Sequence, residues 1–155
     1  MNNLDFKIRK MNEGDIAQVV LLEKKALTPF FANSKSKDVL SDNPFARLKV
    51  ATIQNEKGNE IVIGFIHYWI TFDSATIAQI AVQSEFKRQG IANALLKVMN
   101  EECSFNNVRS ITLEVKVDNI PAISLYEKDG FKKVSIKEHY YEDGTDAIYM
   151  VKEVN

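Results

Sequence analysis

The chain has 155 residues, 26% of them charged, and a formal net charge of −1. That near-balance excludes a general attraction to nucleic acid or anionic membranes, so any polyanion site has to be local. The single cysteine, Cys103, excludes an internal disulfide and a cysteine metal cluster.

The length fits one domain spanning 1–155, with no repeat, low-complexity tract or Pro/Gly-rich linker to divide it. No apolar run approaches a bilayer-spanning length, and the opening "MNNLDFKIRKMNEGD" lacks the apolar region of a signal peptide. The expectation is a cytoplasmic protein.

In chain order, "DFKIRKM" alternates Phe6 and Ile8 with Lys7 and Arg9 and predicts a short strand. "NEGDIAQVVLLEKKALTP" spaces Ile16, Val19, Val20 and Leu27 as a helix, with Asn12 and Asp15 as a cap and Pro29 as its end. "FFANSKSKDVLSDNPF" is irregular, with a short helix near Lys35 to Ser41. The period then changes. "ARLKVATIQ", "EIVIGFIHYWITF" and "SATIAQIAV" predict three antiparallel strands joined by tight turns at "NEKGNE" and "DS", with Gly58 at positive φ. "GIANALLKVMNEECSF" returns to helical spacing and "SITLEVKV" is a short strand. "NIPAISLYEKDGF" is a helix with Asn119 as cap, Pro121 in its first turn and Gly130 as C′. "KKVSIKEHYY" and "TDAIYMVKEV" predict a hairpin closed across "EDGT". The order implies an α/β (α+β) layered fold around a mixed, mostly antiparallel sheet.

Two stretches carry candidate chemistry. In "IAVQSEFKRQGIANALL" a strand runs through a turn into a helix start, where free N–H groups and the dipole favour an anion. Gly90 and Ala92 keep that backbone accessible, and Lys87 and Arg88 add positive charge. This reads either as a pyrophosphate cradle or as a solvated basic turn; it is neither a Walker A loop nor a dinucleotide-binding glycine turn. In "ITLEVKV", Glu114 faces away from Leu113 and Val115. It is either a partly buried general base or an ion-paired, solvent-facing carboxylate. Tyr126, on the next helix, is either a functional phenol or a core tyrosine. Cys103 lies on an apolar helix face and reads as core. His67 and His139 form no ligand-spaced pair, and Trp69 with its neighbours reads as core.

"RQGIANALL" followed by "LEVKVDNIPAISLYEKDGF" resembles the GCN5-related N-acetyltransferase (GNAT) superfamily, and within it most closely the bacterial ribosomal-protein alanine N-acetyltransferases. The superfamily pattern Q/R-x-x-G-x-G/A falls on Lys87, Gly90 and Ala92, with lysine departing conservatively at the first position. The likeness covers residues 75–152 well and the N-terminal half in element order only. It implies a central sheet of about six to seven strands with helices on both faces, and acetyl-CoA as co-substrate.

The resemblance further implies that the backbone at Ile80, Ala81 and Val82 pairs with the pantetheine arm, a splayed strand there offering an oxyanion donor. Lys87, Arg88, Gln89, Gly90, Ile91, Ala92 and Asn93 would hold the pyrophosphate, with Asn119 contacting the cofactor or capping its helix. Glu114 matches the base that takes the amine proton, and Tyr126 the acid that protonates the departing thiolate. Tyr140 and Tyr141 would wall the acceptor groove on one side. The loop Leu27–Ser36, with Phe30 and Phe31, would wall it on the other. The implied acceptor is a peptide N-terminus, foremost the N-terminal alanine of a ribosomal protein. The alternatives are a small cationic amine, which calls for an acidic pocket, and a non-catalytic domain that binds CoA or a protein. No nucleic acid, membrane or metal is expected, and the chain would act as a monomer or weak dimer.

Overall fold

The alternating N-terminal segment forms β1 (Lys7–Lys10), followed by a 3-10 turn, Glu13–Asp15, and α1 (Ile16–Lys24). The computed structural model describes residues 4–25 and 45–154. Pro29, Leu27 and the short helix expected near Lys35 to Ser41 lie outside the described residues. The Asp15 carboxylate accepts from the Asn12 N–H at 2.9 Å and pairs with Arg9 at 2.7 Å, so the expected cap also ties the helix entry to β1.

β2 (Ala46–Gln54), β3 (Glu60–Thr71) and β4 (Ser74–Val82) form the expected meander. The second turn is Phe72–Asp73, one residue earlier than "DS". Phe72 takes it at φ 55°, with its ring in solvent. Then come α2 (Ile91–Phe105), β5 (Ser110–Lys116), α3 (Ile120–Lys128), β6 (Lys132–Lys137) and β7 (Ala147–Glu153). Gly58 and Gly130 adopt positive φ at their turn and C′ positions. The strands form one seven-stranded sheet in the order β1-β2-β3-β4-β5-β7-β6. Among the described residues only β4 and β5 pair in parallel.

Crossover handedness decides which face each helix covers. The connections β4–α2–β5 and β5–α3–β6 both join parallel strands and advance in the same direction along the sheet. Right-handed crossovers therefore place α2 and α3 on one face. Ile91, Leu95, Leu96, Met99 and Cys103 of α2 share a buried cluster with Ile123 and Tyr126 of α3 and with Leu113, Val115, Ile148 and Met150 of the sheet. Each such aliphatic side chain contributes roughly 1.5–3 kcal/mol by leaving water. Cys103 is the expected core residue, and burial pushes its thiol up to about 11. α1 covers the opposite face, where Val19 and Leu22 pack on Leu48, Val50, Val62 and Phe65. Tyr68 is fully buried, and its hydroxyl donates to Glu102, which also pairs with Arg47 at 3.1 Å. These bonds fasten the far end of α2 to the sheet. Trp69 is only half-buried and lies edge-on to His67, which is fully buried, so the expectation that it is core holds for its neighbours rather than for Trp69. Burial lowers the His67 pKa to about 4.

The C-terminal hairpin differs from the expected one. β6 ends at Lys137, and residues 138–146 form a nine-residue loop rather than a four-residue turn. His139 takes φ 52° and donates its N–H to Asp146 Oδ1 at 2.9 Å. The Tyr141 N–H meets Thr145 O at 3.1 Å. These local bonds replace ladder bonds and take Tyr140 and Tyr141 off the strand.

Gly64 sets how closely α2 approaches the sheet. A Cβ there would lie 3.0 Å from Ala81 O and 3.2 Å from Ile91 Cγ2, both held by secondary structure. Gly64→Val is expected to destabilise the protein by about 1–3 kcal/mol in urea unfolding, because the strand must shift away from the α2 start. An unchanged unfolding midpoint would show that this contact is slack.

Candidate active site

The parallel ladder between β4 and β5 has three rungs, Ser74–Ser110, Ala75–Ile111 and Thr76–Thr112, and then ends. At its last rung the two threonine hydroxyls lie 3.3 Å apart. One rung further, β4 carries a bulge at Ala78, since Tyr68 pairs with Ile77 but His67 pairs with Gln79. A bulge bends and twists its strand. Beyond it, Gln79–Val82 stay paired to β3 on one side, and for Ile80–Val82 no ladder partner is found on the other among the described residues, which leaves a gap there. Alternate backbone N–H and C=O groups point into that gap and need a partner there. Ile80, Ala81 and Val82 line this open edge.

The chain leaves β4 through a 3-10 turn, Ser84–Phe86, and reaches α2. Lys87, Arg88, Gln89 and Gly90 are all exposed. Arg88 takes φ 67° and Gly90 φ 82°, so two successive departures from ordinary backbone aim the helix start. Gly90 is the helix N-cap and makes no side-chain cap bond. The first-turn N–H groups at Ile91, Ala92 and Asn93 thus have neither an intrahelical acceptor nor a capping side chain. A Cβ at Gly90 would meet nothing within 4 Å, so its glycine answers to backbone conformation and open approach rather than to protein packing. A bare 15-residue helix start beside two exposed cations fits a pyrophosphate.

Asn119 is a helix cap: its Oδ1 accepts from the Ala122 N–H at 3.3 Å. Its amide nitrogen and the second lone pair of Oδ1 are left for another partner. Asp129, at the other end of α3, accepts from Asn100 at 3.1 Å and pairs with Lys152 at 3.1 Å, which locks α3 against α2 and β7.

Glu114 and Tyr126 flank β5 from opposite faces. Leu113 and Val115 point into the cluster under α2 and α3, so Glu114 between them points to the other face. Its carboxylate accepts from Lys137 Nζ at 2.7 Å and from the Tyr140 hydroxyl at 3.4 Å, with the side chain 23% exposed. The carboxylate is thus both partly buried and ion-paired, and it keeps lone pairs for a further hydrogen bond. Tyr126 is buried against Phe131, ring centroids 5.8 Å apart, and burial raises its pKa well above the ordinary phenol value. Tyr141 stands between these environments. Burial raises its own pKa most, Tyr140, Glu114 and Asp143 add to the rise, and its charge would be felt at Tyr126. Tyr140 and Tyr141 meet edge-to-face at 5.1 Å. Phe30 and Phe31, with the rest of the loop Leu27–Ser36, lie outside the described residues.

The sequence reading did not find Lys137, Lys116 or Tyr149. Lys137 Nζ lies 5.4 Å from the Tyr140 ring centroid and 5.0 Å from that of Tyr149. Lys116 Nζ lies 5.3 Å from the Tyr141 ring and pairs with Asp143 at 2.8 Å. The only signal for Tyr149 was its parity on β7, which puts it opposite Glu114 once the register is known. Among the described residues no group of three or more His, Cys, Asp or Glu is placed to hold a metal ion. No described helix is long and apolar enough to cross a membrane.

A sheet parted at its one parallel pair, with a bare helix start at its edge, is the frame of an acyl-CoA-dependent acetyltransferase. The acetyltransferase (GNAT) family profile matches residues 20–131, and the chain belongs to that family. It is an acetyl-CoA-dependent N-acetyltransferase. A Bacillus subtilis (strain 168) protein, provisionally named a [ribosomal protein bS18]-alanine N-acetyltransferase, is 32% identical over 96% of this chain and 95% of its own. An N-alpha-acetyltransferase of Saccharolobus solfataricus is 34% identical over 96% of this chain and 93% of its own. Among solved structures, the ribosomal-protein-S18-alanine N-acetyltransferase from Escherichia coli superposes with a TM-score of 0.79 at 29% identity, covering 97% of this chain and 95% of that one.

Gly90→Val is expected to weaken CoA binding at least tenfold by calorimetry, because a β-branched residue resists φ near 82° and its side chain would crowd the helix start. Unaltered affinity in a variant with a native circular dichroism spectrum would remove this loop from the cofactor site.

Proposed function

We propose that the protein acetylates the N-terminal α-amine of a polypeptide, foremost the N-terminal alanine of a ribosomal protein, with Glu114 as general base and Tyr126 as general acid. The observation that carries this reading is the placement of the two groups on opposite faces of β5, past the point where β4 leaves it. Family membership and the N-terminal acetyltransferases among its relatives support the same acceptor class.

Each part of the chain has a distinct task in this reading. Ile91, Ala92 and Asn93 offer backbone N–H groups to the pyrophosphate, with Lys87 and Arg88 beside them. The open edge at Ile80, Ala81 and Val82 pairs with the pantetheine arm. Acetyl-CoA supplies the activated acyl group. The amine must be neutral to attack and must then lose a proton, which Glu114 accepts directly or through water. The C–N bond forms as the C–S bond breaks, and Tyr126 gives its proton to the leaving sulfur. A phenol carries its proton at neutral pH, as the role requires, and burial raises its pKa further. Tyr140 and Tyr141 form an aromatic wall beside Glu114.

A polyamine acceptor fits this surface less well. Such a substrate calls for uncompensated acidic groups, whereas Glu114 and Asp143 each already hold a lysine.

Mass spectrometry of products from a mixed pool of alanine-initiated peptides and small amines tests the acceptor. Acetylation of peptide α-amines is expected; product on polyamines alone would transfer the reading to small molecules. Glu114→Gln is expected to lower kcat by roughly 10²–10⁴-fold with CoA affinity retained. An unchanged rate would remove Glu114 as the base.

A further inference from the structure

We propose that Lys137 is a specificity-determining residue, a fixed cation beside Glu114 that admits a neutral α-amine and turns away an alkylammonium such as a lysine side chain. The inference rests on the reading of Glu114 as the base.

The geometry is specific. Lys137 Nζ sits 2.7 Å from Glu114 Oε2, while the Tyr140 hydroxyl bonds the other oxygen, Oε1, at 3.4 Å. The lysine also lies over the Tyr140 and Tyr149 rings, at 5.4 and 5.0 Å from their centroids. Three elements therefore hold it: Glu114 on β5, Tyr149 on β7 and Tyr140 in the loop after β6. The hydrogen bond to Glu114 raises the Lys137 pKa, so it remains an ammonium at neutral pH.

The chemical consequence concerns the arriving amine. A carboxylate already paired with an ammonium exerts little net pull on a second cation, and the two cations repel at short range. The carboxylate still has lone pairs to accept a hydrogen bond, and later a proton, from a neutral amine. α-Amines have pKa values of about 7.7–8.0 and lysine side chains about 10.4. At pH 7.5 roughly one third of α-amines are neutral, against about one lysine in a thousand. A site that excludes ammonium ions thus favours N-termini over lysines before any side chain of the acceptor is read. With 43% of the Lys137 side chain and 23% of the Glu114 side chain exposed, an acceptor can reach the pair.

The test compares two peptides of the same sequence after their first residue. One has a free N-terminal alanine; the other has a blocked N-terminus and a single lysine. The ratio of kcat/KM for the lysine peptide to that for the alanine peptide is measured for the wild-type protein, Lys137→Met and Lys137→Arg. A loss of folded protein lowers both numbers and leaves their ratio unchanged. Lys137→Met is expected to raise the ratio at least tenfold, with Lys137→Arg staying within threefold of wild type. No detectable lysine acetylation by Lys137→Met, or a ratio within twofold of wild type, overturns the proposal. The base assignment is read separately from Glu114→Gln on the alanine peptide. A retained kcat there defeats the base, whereas a lost kcat with an unmoved Lys137→Met ratio defeats the filter alone.

Discussion

The parting of β4 from β5 after Thr76 and Thr112 is the constraint on which the rest of the molecule turns. A parallel pair left unzipped exposes backbone groups that an ordinary sheet would satisfy. The bulge at Ala78 bends β4 while its bonds to β3 continue, so the open edge is held rigidly rather than frayed. The gap lies at the carboxyl ends of the two parallel strands. The turn after β4 therefore delivers the α2 N-terminus to the mouth of the same gap, as open α/β sheets do at their binding crevices. Gly64 is part of this arrangement, because it lets Ile91 approach β3 and Ala81 closely.

The parting also divides the chemistry between two faces. Strand alternation sends Leu113 and Val115 under α2 and α3, and Glu114 out on the far side with Tyr149 across from it. One face is dry, and its Tyr126 phenol is held protonated by burial. The other is wet and charged, and there the carboxylate keeps a lysine and a phenol as partners. In the proposed mechanism the acid and base roles are thus kept apart by a strand rather than by distance along a cleft. Tyr141, influenced by Glu114 and itself felt at Tyr126, is where the two environments meet.

Local pattern made much of this legible beforehand. Period-two alternation and turn residues located the meander, and helical spacing located the start of α1 and both ends of α2 and α3 closely. The Asn119 cap, the Gly130 terminus and the glycine at the α2 start are local chemistry, readable within a few residues. The features that escaped depend on contacts between segments distant in sequence. The Ala78 bulge exists only relative to β3, and a strand read alone shows no extra residue. The hairpin loop ran longer than expected because Asp146 and Thr145 satisfy the backbone at His139 and Tyr141, which composition does not show. Lys137 meets Glu114 across two strand pairings, β5 with β7 and β7 with β6, so no spacing rule links them. Gly64 lies within the strand run "EIVIGFIHYWITF", and only the position of α2 above it gives it a role.

The near-zero net charge, uninformative at first, gains meaning from this layout. A polyanionic donor and an amine acceptor place opposite electrostatic demands on one gap. A globally basic surface would draw the first and repel the second. In the proposed reading the donor's demand is met locally, by the exposed Lys87 and Arg88 beside the α2 start. On the proposed acceptor side two acidic groups are already compensated, Glu114 by Lys137 and Asp143 by Lys116. Long-range steering of a cationic acceptor is therefore weak, and at physiological salt it fades within about 8 Å. In the proposed reading what remains to discriminate acceptors is short-range: the aromatic wall of Tyr140 and Tyr141, and the protonation state of the amine as it meets a carboxylate that already has a cation.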